Sequence, residues 1–277
     1  MNNSINEHHI FLSLLVAIVW MAVGISSCDS IDQQDRLQYV KPEVSGRCIL
    51  VEDYTGQACV NCPTATDIIE EMQRAYGADT IIAVAIHSGG LGVKPSEKHP
   101  DGLATDLGDK YYNYWNIQYQ PMGVIDRSDG PLDKDIWTAK VAWDLQQPQV
   151  SKVNIDVETS FDADSRTLDI DVDVIGTEGE TEGKLQLWLT EDNIIAFQDM
   201  PQEKGGGTKH DYVHNHVLRD AVNGDWGEDL RVGEGNVKHF SHTYRVNSTW
   251  KEQDLAVVAF VYNGEGVVQA TRKKIRN

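Results

Sequence analysis

Two cysteines separated by two residues, Cys59 and Cys62, are the side chains of this sequence whose spacing points most clearly to chemistry. They follow a short apolar run and precede a segment with helical spacing, so Cys59 is predicted to lie at a helix N-terminus. The partial positive charge there favours a thiolate, which would lower the pKa of an exposed Cys59 and make it a nucleophile. Cys62, one turn later, is placed to attack a mixed disulfide and release the partner.

Two other uses of such a cysteine pair stay open, namely half of a zinc site and a structural disulfide. The chain has four cysteines and no second pair with this spacing. A zinc site with four thiolate ligands would therefore need every cysteine, including Cys28, which the N-terminal pattern assigns to a lipid. The context of strand, cysteine pair and helix favours the redox interpretation.

Residues 46–149 are predicted to form the α/β domain that positions this pair. Apolar runs predict strands over 47–54 and 80–87, with a helix between them that starts at Cys62 and ends near Gly77. A continuously apolar second strand indicates a sheet covered on both faces. After a loop, the spacing predicts a helix over 105–115, a short strand after Pro121, and a helix over 133–147.

This order of elements resembles the thioredoxin fold, and the resemblance assigns roles to two further residues. It implies that the bond before Pro121 is cis, a state found in roughly 5% of such bonds, and that this segment faces the cysteines and pairs with an extended substrate. It also implies that Asp53 is a buried acid beneath the pair that relays a proton to Cys62. Glu52 is the competing candidate, because neighbouring strand residues point to opposite faces.

Residues that depart from the usual thioredoxin pattern leave the redox direction open. Ala58 stands where the family usually carries tryptophan, and Val60-Asn61 matches neither the reductants nor the oxidants. The sequence itself places Cys48 in the first strand, where a lone thiol is interpreted as a small buried hydrophobe.

Residues 150–277 are predicted to form an all-β, immunoglobulin-like sandwich of six or seven strands. Apolar and polar residues alternate over 153–158 and 168–174, which is typical of antiparallel strands with one polar face. Asp169, Asp171 and Asp173 are interpreted as that solvated face rather than as a calcium site.

Three histidines, His210, His214 and His216, are candidates for a metal site. His214 and His216 would share one face of a strand, and His239 or His242 could add a ligand. Ordinary packing is the favoured interpretation, so no metal and no other cofactor is predicted. Aromatic residues between 111 and 119 could similarly line a ligand surface, although packing of a helix face is favoured: Tyr111, Tyr112, Tyr114, Trp115 and Tyr119.

The N-terminus carries an apolar run over 10–25 of the length of a signal-peptide core. Gly24-Ile25-Ser26-Ser27-Cys28 resembles the lipobox of bacterial lipoproteins, which implies a signal peptide over 1–27 and a lipid on Cys28. The alternative is an uncleaved anchor. Polar residues over 28–45 are predicted to form a flexible tether. Either way the body of the protein is expected in a compartment where disulfides persist.

The charge of the chain excludes one class of partner. With 43 acidic and 24 basic residues, the formal net charge is -19, so few groups are available to neutralise phosphates and nucleic-acid binding is not expected.

Three segments together are similar to the outer membrane protein 28-related lipoproteins of Bacteroidetes. They are the lipobox at Cys28, the approach over 52–56 to the segment 59–63, and the segment 212–219. The resemblance implies a lipid-anchored protein of the outer membrane, facing either side, with a thioredoxin-like domain followed by a β-sandwich. It implies no settled activity.

The favoured function is exchange with protein thiols or disulfides, with Cys59, Cys62, Pro121 and Asp53 as the catalytic residues. The alternative is a non-enzymatic surface binding protein or adhesin, in which the disulfide is structural and the partner is a surface ligand.

Overall fold

The computed structural model describes residues 46–147 and 151–276. The predicted signal peptide, the lipidation site at Cys28 and the tether lie outside these residues. The elements of the first part are β1 (Ile49–Thr55), α1 (Cys62–Tyr76), β2 (Ile81–His87), α2 (Asp106–Tyr114), β3 (Met122–Ile125), β4 (Pro131–Asp133) and α3 (Trp137–Gln146). The second part contains β5 (Val153–Asp162), β6 (Thr167–Gly176), β7 (Glu180–Glu191), β8 (Ile194–Asp199), β9 (Thr208–His214), β10 (Val217–Ala221), β11 (Glu228–Gly233), β12 (Val237–Arg245), β13 (Leu255–Asn263) and β14 (Gly266–Lys274).

Strand β1 lies at the centre of the first part, parallel to β2 and antiparallel to β3, with β4 beyond β3. All seven residues of β1 are buried, because one face packs on α1 and α3 and the other packs on α2 and on aromatic residues of β7 and β13. The predicted strands and helices are present. The sequence analysis missed β4, and the last helix begins at Trp137 rather than at 133.

One large sheet joins the two parts of the chain. Strand β10 pairs parallel with β2 at Val217 and Ala85, and the sheet continues through β7 and β13 to β14, with β11 paired to β7. The described residues belong to one compact unit. The domain boundary predicted at residue 150 therefore stays a prediction. Strands from both sides of that residue belong to the same sheet.

A second sheet, in the order β12-β6-β5, packs face to face on the large one. Its inward residues include Leu168, Ile170 and Val172, which share a core with Leu187 and Val257 of the large sheet. The predicted alternation is confirmed along β6, where Asp169 and Asp171 are exposed. The second part contains ten described strands rather than six or seven, because β8 to β11 lack a clear period of two.

Strands β8 and β9 form a separate two-stranded sheet, the β8–β9 hairpin. The hairpin is inserted between β7 and β10, which pair with each other in the large sheet; two residues connect β7 to β8 and two connect β9 to β10. Within the described residues, no helix combines the length and the apolar character needed to cross a membrane.

Candidate functional site: a covered disulfide

The loop that carries the cysteine pair leaves β1 through Gly56. A Cβ atom at Gly56 would lie 2.3 Å from the carbonyl oxygen of Leu91, so only glycine lets the two loops approach. Ala58 N then donates to that same carbonyl over 3.1 Å. Cys59 lies in the turn that follows, three residues before α1, and Cys62 is the first residue of the helix. Pro63 occupies the first turn, where a missing N–H has no cost.

The two cysteines are joined, with an S–S distance of 2.08 Å. Cys59 is 2% exposed and Cys62 is 1% exposed. The prediction that Cys59 faces solvent is therefore wrong. Its neighbour Val60 is 48% exposed, so the loop reaches the surface while its sulfur-bearing residues do not.

The β8–β9 hairpin covers the disulfide with residues of β8 and of the turn between its two strands. The buried side chain of Gln198 donates from Nε2 to the carbonyl oxygens of Cys59, over 2.9 Å, and Gly56, over 3.3 Å. Asp199 N donates to Gln57 O over 2.8 Å, and Lys204 Nζ donates to Pro63 O over 3.1 Å. These bonds fasten the cover to the backbone of the cysteine loop on both sides of the disulfide.

Both acids at the end of β1 are buried, on opposite faces of the sheet. Glu52 pairs with Arg127, whose Nε lies 2.6 Å from Glu52 Oε1, and Arg127 in turn lies over the rings of Trp188 and Phe260. Glu52 is thus committed to an ion pair away from the cysteines. Glu52, the competing candidate for the acid beneath the cysteines, is also buried, because the sheet is covered on both faces, but it lies on the face opposite to Asp53.

Asp53 points to the other face, beneath the disulfide. It is 2% exposed, and its Oδ1 has no hydrogen-bond partner among the described residues. Burial raises its pKa to about 8. With Cys62 and Thr66, Asp53 lines a cavity of about 30 Å³, and it also lines a neighbouring cleft of about 210 Å³ beside α1. A carboxyl group that holds its proton at neutral pH therefore lines the same cavity as Cys62.

The bond between Gln120 and Pro121 is cis, as predicted. Gln120 Nε2 donates to Thr55 O over 2.6 Å and to Ser88 O over 3.0 Å. The side chain of Gln120 thereby holds this segment against the ends of β1 and β2, where the cysteine loop begins. The contribution of Pro121 to substrate binding stays a prediction.

The structure separates the three histidines of the sequence-based metal hypothesis. His210 is exposed, His214 ends β9, and His216 lies in the following turn with φ 57°, so His214 and His216 do not share a strand face. His216 Nδ1 lies 3.1 Å from Asp192 Oδ1. Within residues 46–147 and 151–276, no group of three or more potential ligands is arranged to hold a metal ion.

His214 instead packs against a residue that the sequence analysis did not single out, His87. The ring centroids are 5.1 Å apart and the rings meet edge to face. Burial lowers the pKa of His214 to about 4 and that of His87 well below its ordinary value. His87 is the one ionisable residue of β2, which was the available signal. The sequence carries no comparable signal for Gln198, because this residue lies 139 positions from Cys59.

The aromatic segment after residue 110 divides between core and surface. Tyr111 is buried against Trp188 and Trp226, and Tyr112 and Trp115 pack on the same core. Tyr114 and Tyr119 are exposed. Packing thus accounts for the inward members of the set.

Cys48 is a free, half-buried thiol. Its Sγ donates to Asp79 O over 3.1 Å, and burial raises its pKa to about 11. A thiol that is protonated at neutral pH is a poor nucleophile. Cys48 is half-buried and lies just before β1, so the prediction that it is a buried residue of the first strand is wrong, because the strand begins at Ile49.

Comparisons with known proteins place this arrangement in context. The model of the family described as "Outer membrane protein Omp28" matches residues 108–277, more than half of the chain but not the cysteine pair. No curated protein matches the chain.

Two solved structures from Porphyromonas gingivalis are similar to it. HBP35 superposes with a TM-score of 0.60 at 15% identity, covering 83% of this chain and 75% of that protein, which shows a shared fold. A domain of the outer membrane lipoprotein Omp28 is 27% identical over 47% of this chain and 92% of that domain, with a TM-score of 0.33.

Proposed function

This chain belongs to the Omp28 family of outer membrane proteins, and on that premise we propose that it is a lipid-anchored envelope protein whose Cys59–Cys62 pair exchanges with protein thiols or disulfides. The family supports a location in the cell envelope. The lipobox pattern supports cleavage after residue 27 and a lipid on Cys28. Cys28→Ser should release the protein from the membrane fraction, and membrane retention of that variant would exclude the lipid anchor.

The proposed fold is a thioredoxin-like domain followed by an immunoglobulin-like sandwich. The first is supported by the strand order β2-β1-β3-β4, with α1 following β1 and carrying the cysteine pair. The second is supported by the face-to-face packing of β5, β6 and β12 on the large sheet.

The unpartnered carboxyl group of Asp53 carries the proposal of exchange. A disulfide that only braces a loop requires no ionisable group behind it, and burying a polar atom without a partner costs about 1–3 kcal/mol. Strongly perturbed acids concentrate at reactive sites. Because its pKa is about 8, Asp53 carries a proton at pH 7 that it can give to a sulfur.

The exchange step follows from these positions. A substrate thiolate attacks Cys59 Sγ, the S–S bond breaks, and its electron pair leaves on Cys62 Sγ. Asp53 gives its proton to Cys62 and becomes a carboxylate. From here, attack of a second substrate thiolate on the substrate sulfur of the mixed disulfide forms a substrate disulfide and releases Cys59 as a thiolate. In the opposite direction, Cys59 of the reduced pair attacks a substrate disulfide, and Asp53 takes the proton of Cys62 while Cys62 attacks the mixed disulfide, which re-forms the Cys59–Cys62 bond and releases the substrate thiolate. A net change in the substrate requires a substrate with a second thiol or a disulfide.

The cover adds a condition to this chemistry. A protein thiolate cannot reach Cys59 while Gln198 and the β8–β9 hairpin lie over it, since attack requires access to the sulfur. We therefore include in the proposal a movement of the β8–β9 hairpin away from the cysteine loop before exchange.

The burial of the disulfide favours a second candidate function. In that alternative, the chain is a non-enzymatic envelope binding protein, and the Cys59–Cys62 bond fastens the loop beneath the hairpin. Structural disulfides typically have midpoint potentials below about -300 mV.

The midpoint potential of the pair tests the two candidates. Thiol exchange predicts a value above about -300 mV, together with disulfide exchange on a model dithiol protein that is lost in Cys59→Ser. Cys48→Ala is the matched control, because Cys48 lies outside the site and should leave both measurements unchanged. A lower potential, or exchange that persists in Cys59→Ser, would favour the structural alternative.

A further inference from the structure

The cavity behind Cys62 has both polar and apolar walls, and two of its buried residues carry polar atoms that lack partners. Its volume is about 30 Å³, and its lining includes Asp53, Cys62, His87 and His214. Neither Asp53 Oδ1 nor His87 Nδ1 has a hydrogen-bond partner among the described residues. A water needs roughly 10–15 Å³ of such volume and several polar partners, so the cavity has room for one or two waters beside these atoms.

His87 occupies the end of β2, directly opposite Thr55 at the end of β1. The charged or titratable groups that face it come from three other elements, Asp53 of β1, Tyr212 and His214 of β9, and Arg219 of β10, and Cys62 of α1 joins them when the disulfide opens. His214 and Arg219 both disfavour a positive charge on His87, as does burial. The imidazole is therefore neutral while the disulfide is intact.

Opening of the disulfide changes the charge in this cavity. The electron pair of the S–S bond leaves on Cys62, and after proton transfer the negative charge lies on either Cys62 or Asp53. A negative charge within a few ångströms favours the protonated form of an imidazole. Each unit by which the pKa of an imidazole rises corresponds to a tenfold stronger binding of its proton.

From this arrangement we infer that His87 is the proton-binding residue coupled to the disulfide: its imidazole is neutral while Cys59 and Cys62 are joined, and it takes a proton from solvent, through a water in the cavity, when Cys62 is released. The inference rests on the proposed thiol exchange and extends it. His87 acts through Cys62 and is a positioning residue rather than a catalytic one. Its imidazolium stabilises the negative charge left behind the substrate.

His214 holds the ring of His87 in place but is not itself the proton-binding residue. Its Nε2 lies 3.3 Å from Phe197 O, so that nitrogen donates to a backbone carbonyl of β8. Among the described residues, His87 Nδ1 has no hydrogen-bond partner. The hydrogen bond fixes the ring of His214, and the edge-to-face contact then fixes the ring of His87 beside the cavity.

Histidine titration by NMR in the full chain tests the inference, in the oxidised protein and after reduction with dithiothreitol. His87→Asn identifies the signal, because asparagine keeps a polar atom near the position of Nδ1 but binds no proton between pH 5 and 9. We expect His87 to stay neutral over that range in the oxidised protein. After reduction, the midpoint of the His87 titration should lie within that range and at least one pH unit higher than in the oxidised protein, which is a tenfold rise in proton affinity. His210→Asn, at an exposed position of the β8–β9 hairpin, is the matched control.

The inference would be overturned if His87 titrated at the same pH in both redox states, or if it stayed neutral between pH 5 and 9 after reduction as well. If the pair also exchanges normally with a model dithiol, the proposed function stands and only the role of His87 fails. If the pair cannot be reduced in the folded protein, both fail together. The wild-type titration decides the matter even where His87→Asn does not fold, since the shift between redox states is measured without it.

Discussion

Gln198 and Cys59 are joined by a hydrogen bond from a side-chain amide to a backbone carbonyl, 2.9 Å long and fully buried. The segment that hides the disulfide is thus attached to the residue that would be attacked. Access to the sulfur and the stability of the β8–β9 hairpin are therefore linked.

Gln198→Ala should make the disulfide easier to reduce. The substitution removes a donor to Cys59 and Gly56, and each lost bond to a buried group weakens the closed state by roughly 1–3 kcal/mol. We expect the rate of reduction by dithiothreitol, followed by thiol trapping, to rise about tenfold or more, since 1.4 kcal/mol corresponds to a factor of ten.

The matched control is Gln186→Ala. Gln186 is also fully buried, and it donates to Gly224 O over 2.9 Å, in a turn outside the disulfide site. Its loss should lower the free energy of unfolding without changing the rate of reduction. Equal rates for Gln198→Ala and the wild type would show that the hairpin does not limit access.

Asp53→Asn should remove a pH dependence of stability. The pKa of Asp53 is about 8 in the folded chain and about 4 in an unfolded one. Between these values the folded chain binds one more proton at this site, so this contribution to the free energy of unfolding falls as the pH rises, by roughly 1.4 kcal/mol per unit. It is constant below about pH 4 and above about pH 8.

Urea unfolding of the oxidised protein at pH 5, 6.5 and 8 measures this effect. The asparagine variant should gain stability over the wild type progressively from pH 5 to pH 8. Asp211→Asn, at an exposed position of β9, should reproduce the wild-type dependence. A constant difference between Asp53→Asn and the wild type would mean that Asp53 is ionised in the folded chain.

Arg127→Leu should destabilise the chain by about 3–5 kcal/mol, because it leaves the carboxylate of Glu52 buried without its partner. Glu52 is fully buried and its ion pair with Arg127 is 2.6 Å long. Adding Glu52→Gln to Arg127→Leu should recover part of that loss. Arg231→Leu, which removes the exposed pair with Glu180, should cost less than about 1 kcal/mol. Similar losses for both arginines in urea unfolding would contradict a buried pair.

Glu158→Lys should stabilise the three-stranded sheet by a few tenths of a kcal/mol. Glu158 lies directly opposite Asp171, and Asp156 lies opposite Asp173, so like charges face each other across β5 and β6, which is unfavourable. The gain should be measured by thermal unfolding at low salt and should shrink at high salt, since these side chains are exposed. A gain independent of salt would point to a cause other than charge. Asn154→Lys, at an exposed position of β5 opposite the uncharged Ile175, is the control.

The sequence identified the parts of the site that depend on local order. The cysteine pair, the start of α1, the cis bond before Pro121 and the buried acid at Asp53 all follow from residues within a few positions of one another or from a known pattern. Glu52 was mistaken for an alternative to Asp53, because nothing near it in the sequence reveals Arg127 on the other face of the sheet.

The cover of the disulfide depends on distant residues and could not be read from a pattern. Strand β9 is mostly exposed and shows no apolar alternation, and β8 is short. Their place over the cysteine loop is set by the pairing of β10 with β2, which brings the flanking chain to that end of the sheet. The prediction that Cys59 is exposed was therefore wrong, although the predictions for the elements next to it in the sequence were right.

The position of Gln198 in the sequence affects when the disulfide can form during synthesis. It lies 139 residues downstream of Cys59, so a growing chain presents both thiols long before it contains the segment that conceals them. Oxidation meets the least obstruction in this nascent stage. A chain completed without an oxidant would instead bury two thiols, and the Cys59–Cys62 disulfide would have to form beneath the folded β8–β9 hairpin.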